Sequence, residues 1–186
     1  MALFGWWTRR NGNEGTRAWR EAWQTAVAQR DAAAVAQLEA ELQRQPPLAD
    51  DVEIEEEMLD GLKQLIALDY DLAANQPPVI ETSHRVVGTD RCHFSAPVSM
   101  PDDPAQPTGR LLLTSTRAVF AGGTRAPALA WHTVREVVQN GRDLLFVISR
   151  SGADEGQRYR CNSYGEALCG AAIATWLSAR ARSRPV

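Results

Sequence analysis

The sequence predicts an α+β chain in which a helical N-terminal segment is followed by a bent antiparallel β-sheet capped by a C-terminal helix. Three observations carry this prediction. Apolar residues before residue 76 recur at helical spacing. From Val79 onward, short apolar runs alternate with turn-forming dipeptides. Beyond Ser163 the spacing becomes helical again, behind a capping signature.

The elements follow in order. Trp19, Trp23 and Val27 fall at i, i+4 and i+8, and Val35, Leu38 and Leu42 continue the helical spacing over residues 16–45. Gln29-Arg30-Asp31 divides the segment, with Asp31 placed to cap the Ala-rich second helix, and Gln45-Pro46-Pro47 ends it. A further helix starts at Asp50 with Glu53 three residues on, a capping-box spacing. Its apolar stripe reads Ile54, Met58, Leu62, Leu65 and Leu72, with Asp69 interrupting it. Asn75-Gln76-Pro77-Pro78 is the linker.

Strands are expected at Val79–Val87 and Cys92–Val98, then a proline-rich loop over residues 97–109 that carries Asp102 and Asp103. Arg110–Thr114 and Arg117–Ala121 form a pair turned at Ser115-Thr116 and ended by Gly122-Gly123. Ala128–Trp131 and Val134–Gln139 precede Asn140-Gly141, a hairpin dipeptide. Leu144–Ile148 reads as a fully buried central strand, and Gln157–Cys161 as the last one. Ser163 and Glu166 make a capping box for a helix through Ala181, whose apolar face is Leu168, Ala172, Trp176 and Ala179.

Composition narrows the function classes. A chain of 186 residues, 44% hydrophobic and 23% charged, can bury a core and is neither disordered nor a rod. The net charge of -3 divides into -7 over residues 1–78 and +4 over residues 79–186, with no concentrated basic face of the kind a nucleic-acid binder shows. Every basic residue but Lys63 is Arg, and Ala is abundant, the composition of a GC-rich bacterial genome. Cys92, Cys161 and Cys169 are odd in number and widely spaced, no secretory leader is recognisable, and no apolar stretch reaches the length of a membrane span. Reduced thiols and a cytoplasmic location are therefore expected.

Chemistry-bearing constellations are sparse. Nucleophilic catalysis needs Ser or Cys beside an oriented base, and neither a nucleophile elbow nor a catalytic Cys signature accompanies His84, His93 and His132. The glycines form no phosphate-cradling loop. Glu53, Glu55, Glu56, Glu57 and Asp60 read as a solvated helix face. Cys92, His93, His84 and Cys161 are zinc-ligand types, but adjacent strand residues point to opposite faces, so no metal site is expected. Neither an enzyme nor a cofactor is predicted.

Gly109-Arg110-Leu111-Leu112-Leu113-Thr114 followed by Arg117-Ala118-Val119-Phe120, and then Leu129-Ala130-Trp131-His132-Thr133-Val134-Arg135-Glu136-Val137, resembles the strand signatures of GRAM-type and bacterial PH-like domains. The resemblance covers residues 79–181. It implies a bent sheet plugged by the terminal helix, with Trp176 in the plug, and a module that binds proteins or phosphoinositides. Lipid-binding relatives carry cations in the loop after the first strand. Here that loop, Pro97–Gly109, holds Asp102 and Asp103 and no internal base, so headgroup binding of that kind is not implied.

Four regions are expected: a flexible aromatic and basic N-terminus (residues 1–15), a helical segment of two or three helices (16–75), the PH-like domain (79–181) and a tail (182–186). Leu3, Phe4, Trp6, Trp7, Arg9 and Arg10 place aromatics beside cations, which suits fold-back packing, a partner's groove or an anionic bilayer interface. Arg110, Arg117 and Arg125 are a candidate basic strip. Arg180, Arg182 and Arg184 complement the negative end of the last helix. The function these readings favour is a non-catalytic adaptor or scaffold binding protein partners through the PH-like domain and the acidic helices. The alternative is a peripheral membrane module that uses the N-terminal Trp and Arg residues.

Overall fold

A computed structural model describes residues 4–44, 52–122, 128–150 and 153–183, with side chains described over 15–44, 53–122, 128–148 and 155–183. The chain divides into two compact units, Met1–Ala67 and Leu68–Val186. Asp50, Gln45-Pro46-Pro47, Gly123, Arg125 and Arg184 lie outside the described residues, as does Leu3.

The N-terminal unit holds α1 (Phe4–Gln29), α2 (Ala32–Arg44) and most of α3 (Val52–Ala73), whose residues from Leu68 on belong to the C-terminal unit. The helix begins at Phe4 rather than near residue 16, and nothing between Phe4 and Gln29 is a proline that would stop it. Arg30 takes a left-handed backbone (φ 55), and the Asp31 carboxylate accepts from the amides of Ala33 (2.8 Å) and Ala34 (3.4 Å), the N-cap read from sequence. Trp19 and Trp23 are buried, and each indole N–H finds a main-chain acceptor: Leu38 O at 2.9 Å and Met58 O at 2.7 Å. An indole is buried without loss only when its single donor is satisfied, so these two bonds fix the depth of both rings.

The acidic face of α3 corrects the sequence reading. Glu55 is buried, and its carboxylate lies 2.6 Å from the Arg20 guanidinium. Ile54, expected in the apolar stripe, is exposed instead. The buried face therefore runs through Glu55, Met58, Leu59, Leu62 and Leu65, turned by the ion pair that draws Glu55 inward. Glu53, Glu56 and Asp60 stay exposed as expected.

Among the described residues of the C-terminal unit, seven antiparallel strands form one sheet in the order β4-β3-β2-β1-β7-β6-β5. They are β1 (Cys92–Ser99), β2 (Thr108–Thr114), β3 (Arg117–Ala121), β4 (Ala128–Ala130), β5 (Val134–Asn140), β6 (Asp143–Arg150) and β7 (Ala153–Cys161), with α4 (Tyr164–Ser183) last. β1 pairs with β2 along its length but with β7 only at Val98 and Ser99. Pro97, which has no amide to give, sits beside that break in pairing. The inner face gathers Phe94, Leu111, Leu113, Phe120, Leu144, Phe146 and Tyr159, all buried. The Tyr159 ring centre lies 5.8 Å from those of both Phe120 and Phe146, and its burial pushes the phenol pKa up.

Three expectations are adjusted here. Val79–Val87 is not a strand: it contributes one bridge, Ile80 to Cys92, and then a 3-10 turn at Arg85–Val87. Its last two residues cover the outer face of the sheet, where Val87, with Val86 beside it, packs with Cys92, Leu112 and Val119, while Val79 and Ile80 stay exposed. The hairpin turn is Gly141-Arg142, one residue later than read, with Gly141 at φ 60 where a side chain would be strained. β6 is buried on alternate residues (Leu144, Phe146, Ile148) and only half-buried at Leu145 and Val147, because no element covers that side of it completely.

The capping box opens α4 as expected, with Glu166 N donating to Ser163 Oγ (3.1 Å) and Ser163 N to Glu166 Oε2 (3.2 Å). The plug, however, is Leu168, Ile173, Ala174 and Leu177, not Trp176. Gly170 sets this face, since a Cβ there would stand 2.9 Å from Leu144 Cδ1 and 3.0 Å from Phe94 Cζ. The helix seats against the core through this glycine, and that phase leaves Trp176 half-buried at the edge.

Candidate functional site

The half-exposed Trp176 is one wall of a groove of about 560 Å³ within the C-terminal unit. Five pieces of chain meet there: Asn75 and Pro77, the entry to β1 (Arg91, His93), the β2–β3 turn (Ser115, Thr116), a 3-10 turn (Trp131, His132) and the end of α4 (Trp176, Leu177, Arg180, Ala181).

Each piece is held by a bond the sequence makes available. Asn75, left-handed at φ 58, ends α3, and Gln76 N donates to Asp71 O at 2.8 Å. The β2–β3 turn is tied by Ser115 N to Arg91 O (2.9 Å), by Arg117 N to Thr114 Oγ1 (3.2 Å) and by the Thr116 hydroxyl to Asp90 Oδ2 (2.5 Å). Trp131 is buried, and its indole N–H donates to Thr114 O at 2.8 Å, which fixes the turn that carries the exposed His132.

His93 is 5% exposed and sits between Pro78 O (2.8 Å from Nδ1) and Ser115 Oγ (3.0 Å from Nε2). A carbonyl only accepts, so Nδ1 carries the proton, and in the neutral ring Nε2 accepts from the Ser115 hydroxyl. This places a serine beside an oriented imidazole, the first geometric condition for a nucleophile and base. The amides around it are already engaged: Ser115 N with Arg91 O, and Thr116 N (3.4 Å) and Arg117 N with Thr114 Oγ1. No oxyanion donor is formed by the turn. What the geometry does accomplish is to strut the Pro77-Pro78 segment against the sheet.

The cations of the groove are Arg91 and Arg180, both exposed. Arg180 stacks on the Trp176 ring with its Cζ 4.6 Å from the centroid, and its Nη1 donates to Asn75 Oδ1 at 3.0 Å. No carboxylate is among the described lining residues. Arg182 instead ties α4 to β5, donating to Val134 O (3.0 Å) and Arg135 O (3.3 Å), so only part of the basic helix end faces outward.

A second cleft of about 470 Å³, lined by Met100, Asp102, Leu129, Ile148, Glu155 and Arg158 among others, has the opposite character. The Asp102 carboxylate pairs with Arg158, and Asp103 accepts from Ala105 N at 2.8 Å. Asp143 is held by Arg160 at 2.7 Å, and that hydrogen bond keeps its carboxyl below the usual range. With Asp102, Asp103 and Glu155 against one arginine, this cleft is unsuited to a phosphorylated headgroup.

The remaining sequence candidates distribute as follows. Phe4, Trp6, Trp7, Arg9 and Arg10 lie on α1, and their side chains are outside the described ones. Arg110 and Arg117 stand at opposite ends of the β2–β3 ladder and form no converging pair, since Arg110 is opposite Ala121 and Arg117 opposite Ala130. Arg110 donates to Ser95 Oγ (3.1 Å) and Arg117 to Val86 O (3.2 Å), which holds the outer covering segment in place. Cys92 and His93 diverge where the β1–β2 register shifts, Cys92 into the Leu112 and Val119 cluster and His93 onto Pro78. Burial raises both the Cys92 and the Cys161 thiols, the latter to about 12. Among the described residues no three His, Cys, Asp or Glu side chains converge as metal ligands, and no helix is long and apolar enough to cross a membrane.

Sequence reasoning missed the groove. Arg91 carried no motif, Ser115-Thr116 read only as a turn, and Trp176 was assigned to the plug. The one available signal was the i, i+4 pairing of Trp176 with Arg180, which places a cation on an indole along one helix face.

A single seven-stranded antiparallel sheet closed by a C-terminal helix is the PH-like α+β arrangement. No protein-family model matches the chain, and no curated protein sequence does. Among solved structures it is similar to the DH/PH domains of p115-RhoGEF (R399E mutant), at 13% identity and a TM-score of 0.42, over 100% of this chain and 74% of that one. It is similar to a human RhoA complex with the DH/PH fragment of PDZRHOGEF at 11% and 0.42, over 80% of this chain. It is also similar to the C-terminal domain of an unknown protein from Leishmania infantum at 8% and 0.41, over 50% of this chain and 88% of that one. The chain spans about half, 52%, of the PDZRHOGEF complex's matched chain. Likenesses this remote say nothing of partner or activity.

Proposed function

We propose that the chain is a non-catalytic cytoplasmic adaptor whose PH-like domain, of GRAM type and spanning residues 79–181, docks a protein partner. The acidic helical segment, residues 16–75, offers a second partner surface. The observation that carries this reading is the groove beside α4, where an indole, a stacked arginine and a second arginine converge on a rigidly strutted wall. Exposed aromatic and arginine side chains of this kind are the residue types that dominate protein–protein contacts. The acidic cleft at the β1–β2 loop favours a protein over a phosphorylated lipid as the ligand.

A bilayer role would instead run through Leu3, Phe4, Trp6, Trp7, Arg9 and Arg10. Co-sedimentation of the full-length protein, and of a version lacking residues 1–10, with anionic and neutral vesicles separates the two. We expect both proteins to stay in the supernatant at low and high salt. Pelleting of the full-length protein alone, with anionic vesicles and reversed by salt, would put the peripheral-membrane reading in place of this one.

A further inference from the structure

The groove's chemistry narrows the partner. Resting on the reading that this groove is the docking surface, we infer that it takes a linear acidic segment of a protein partner, with carboxylates on Arg91 and Arg180 and an apolar side chain against Trp176 and Pro77.

Charge is the first support. Arg91 and Arg180 line the groove with the exposed His132, and no carboxylate is among the described lining residues. Asp90, next to Arg91 in the chain, accepts from the hydroxyls of Thr116 at 2.5 Å and Thr114 at 3.2 Å, and no ion pair between it and Arg91 is among the described contacts. An incoming carboxylate therefore meets uncompensated cations.

Preorganisation is the second. The Arg180 guanidinium is already stacked on an indole at 4.6 Å and anchored at Nη1 by Asn75, so little side-chain entropy remains to be lost when a carboxylate binds its other N–H groups. The wall behind it is rigid, because His93 bridges Pro78 and Ser115 while Trp131 is pinned to Thr114 O.

Shape separates a peptide from a small anion. Trp176, Pro77, Ala181 and the buried Leu177 give the groove an apolar side that inorganic phosphate would leave unused. The cavity volume is within the range of pockets that enclose several side-chain groups. The second cleft adds specificity: Asp102, Asp103 and Glu155 line it and would repel the same acidic segment.

The test uses the full chain and fluorescence anisotropy of a labelled peptide of alternating Glu and Leu, with an alternating Gln and Leu peptide, inorganic phosphate and anionic vesicles as competitors. Saturable binding of the Glu peptide is expected, weakened about tenfold or more by Arg91→Glu with Arg180→Glu and by raised salt. Arg85→Glu, an exposed cation outside the groove, should leave binding unchanged. His132→Glu, on the rim, should weaken it with the thermal melt preserved, which covers the case that the double variant does not fold. Equal competition by the Gln peptide overturns the inference while the docking reading stands. Full competition by phosphate or vesicles overturns it in favour of a general anion site. If no peptide binds, the inference falls, and a photo-cross-linker at His132 then shows whether the groove contacts any protein at all.

Discussion

Trp131→Ala is expected to cost the C-terminal unit about 3–5 kcal/mol, the range for removing a large aromatic from a core. The indole is 1% exposed, lies 6.3 Å between ring centres from Phe146, and donates to Thr114 O at 2.8 Å. The void would open where the β2–β3 turn, the 3-10 turn and α4 meet. Trp131→Phe separates the contributions: most of the ring is kept, but the Thr114 carbonyl loses its donor, for about 1–2 kcal/mol. Urea unfolding followed by far-UV circular dichroism reads both. If Trp131→Ala were nearly neutral, this residue would not be the pillar of the groove.

Arg20→Ala is expected to cost the N-terminal unit about 3 kcal/mol, the low end for breaking a buried ion pair. Glu55 is 2% exposed while the Arg20 side chain is 41% exposed, so water reaches one partner and moderates the loss. The penalty arises from stranding the carboxylate more than from losing attraction. Glu55→Met alone should therefore be close to neutral, and Arg20→Ala with Glu55→Met should recover most of the loss. If the double variant were as unstable as Arg20→Ala, the pair would matter through the packing of the Arg20 stem instead.

What was legible in the sequence shares a physical character. Asp31, Ser163 and Glu166 could be read because caps are local: a side chain bonds amides two or three residues away. The strands of the PH-like sheet were legible from short apolar runs and turn dipeptides, which are also local. What was missed depends on long-range geometry. Glu55 looked like one more carboxylate on an acidic face, and only Arg20, 35 positions away, makes its burial tolerable. Trp176 looked like a plug because nothing local reveals that Gly170 sets the helix face against Leu144 and Phe94. Val79–Val87 has strand-like composition, yet the sheet needs a cover for Leu112 and Val119 more than another strand. The groove is the extreme case, for its residues come from five separate stretches, none a motif by itself.

The central claim is that the face beside α4 is where this protein meets a protein partner, and site-specific photo-cross-linking tests it most directly. A photo-reactive residue would be placed in the full-length protein at His132 or Ala181 in the groove, and at Gln157 or Asp102 in the acidic cleft, then irradiated in the cells that make the protein. The account predicts a discrete protein adduct from the two groove positions, abolished by Arg91→Glu with Arg180→Glu, and none from the cleft. Adducts only from Gln157 and Asp102, or groove adducts indifferent to both arginines, would contradict it.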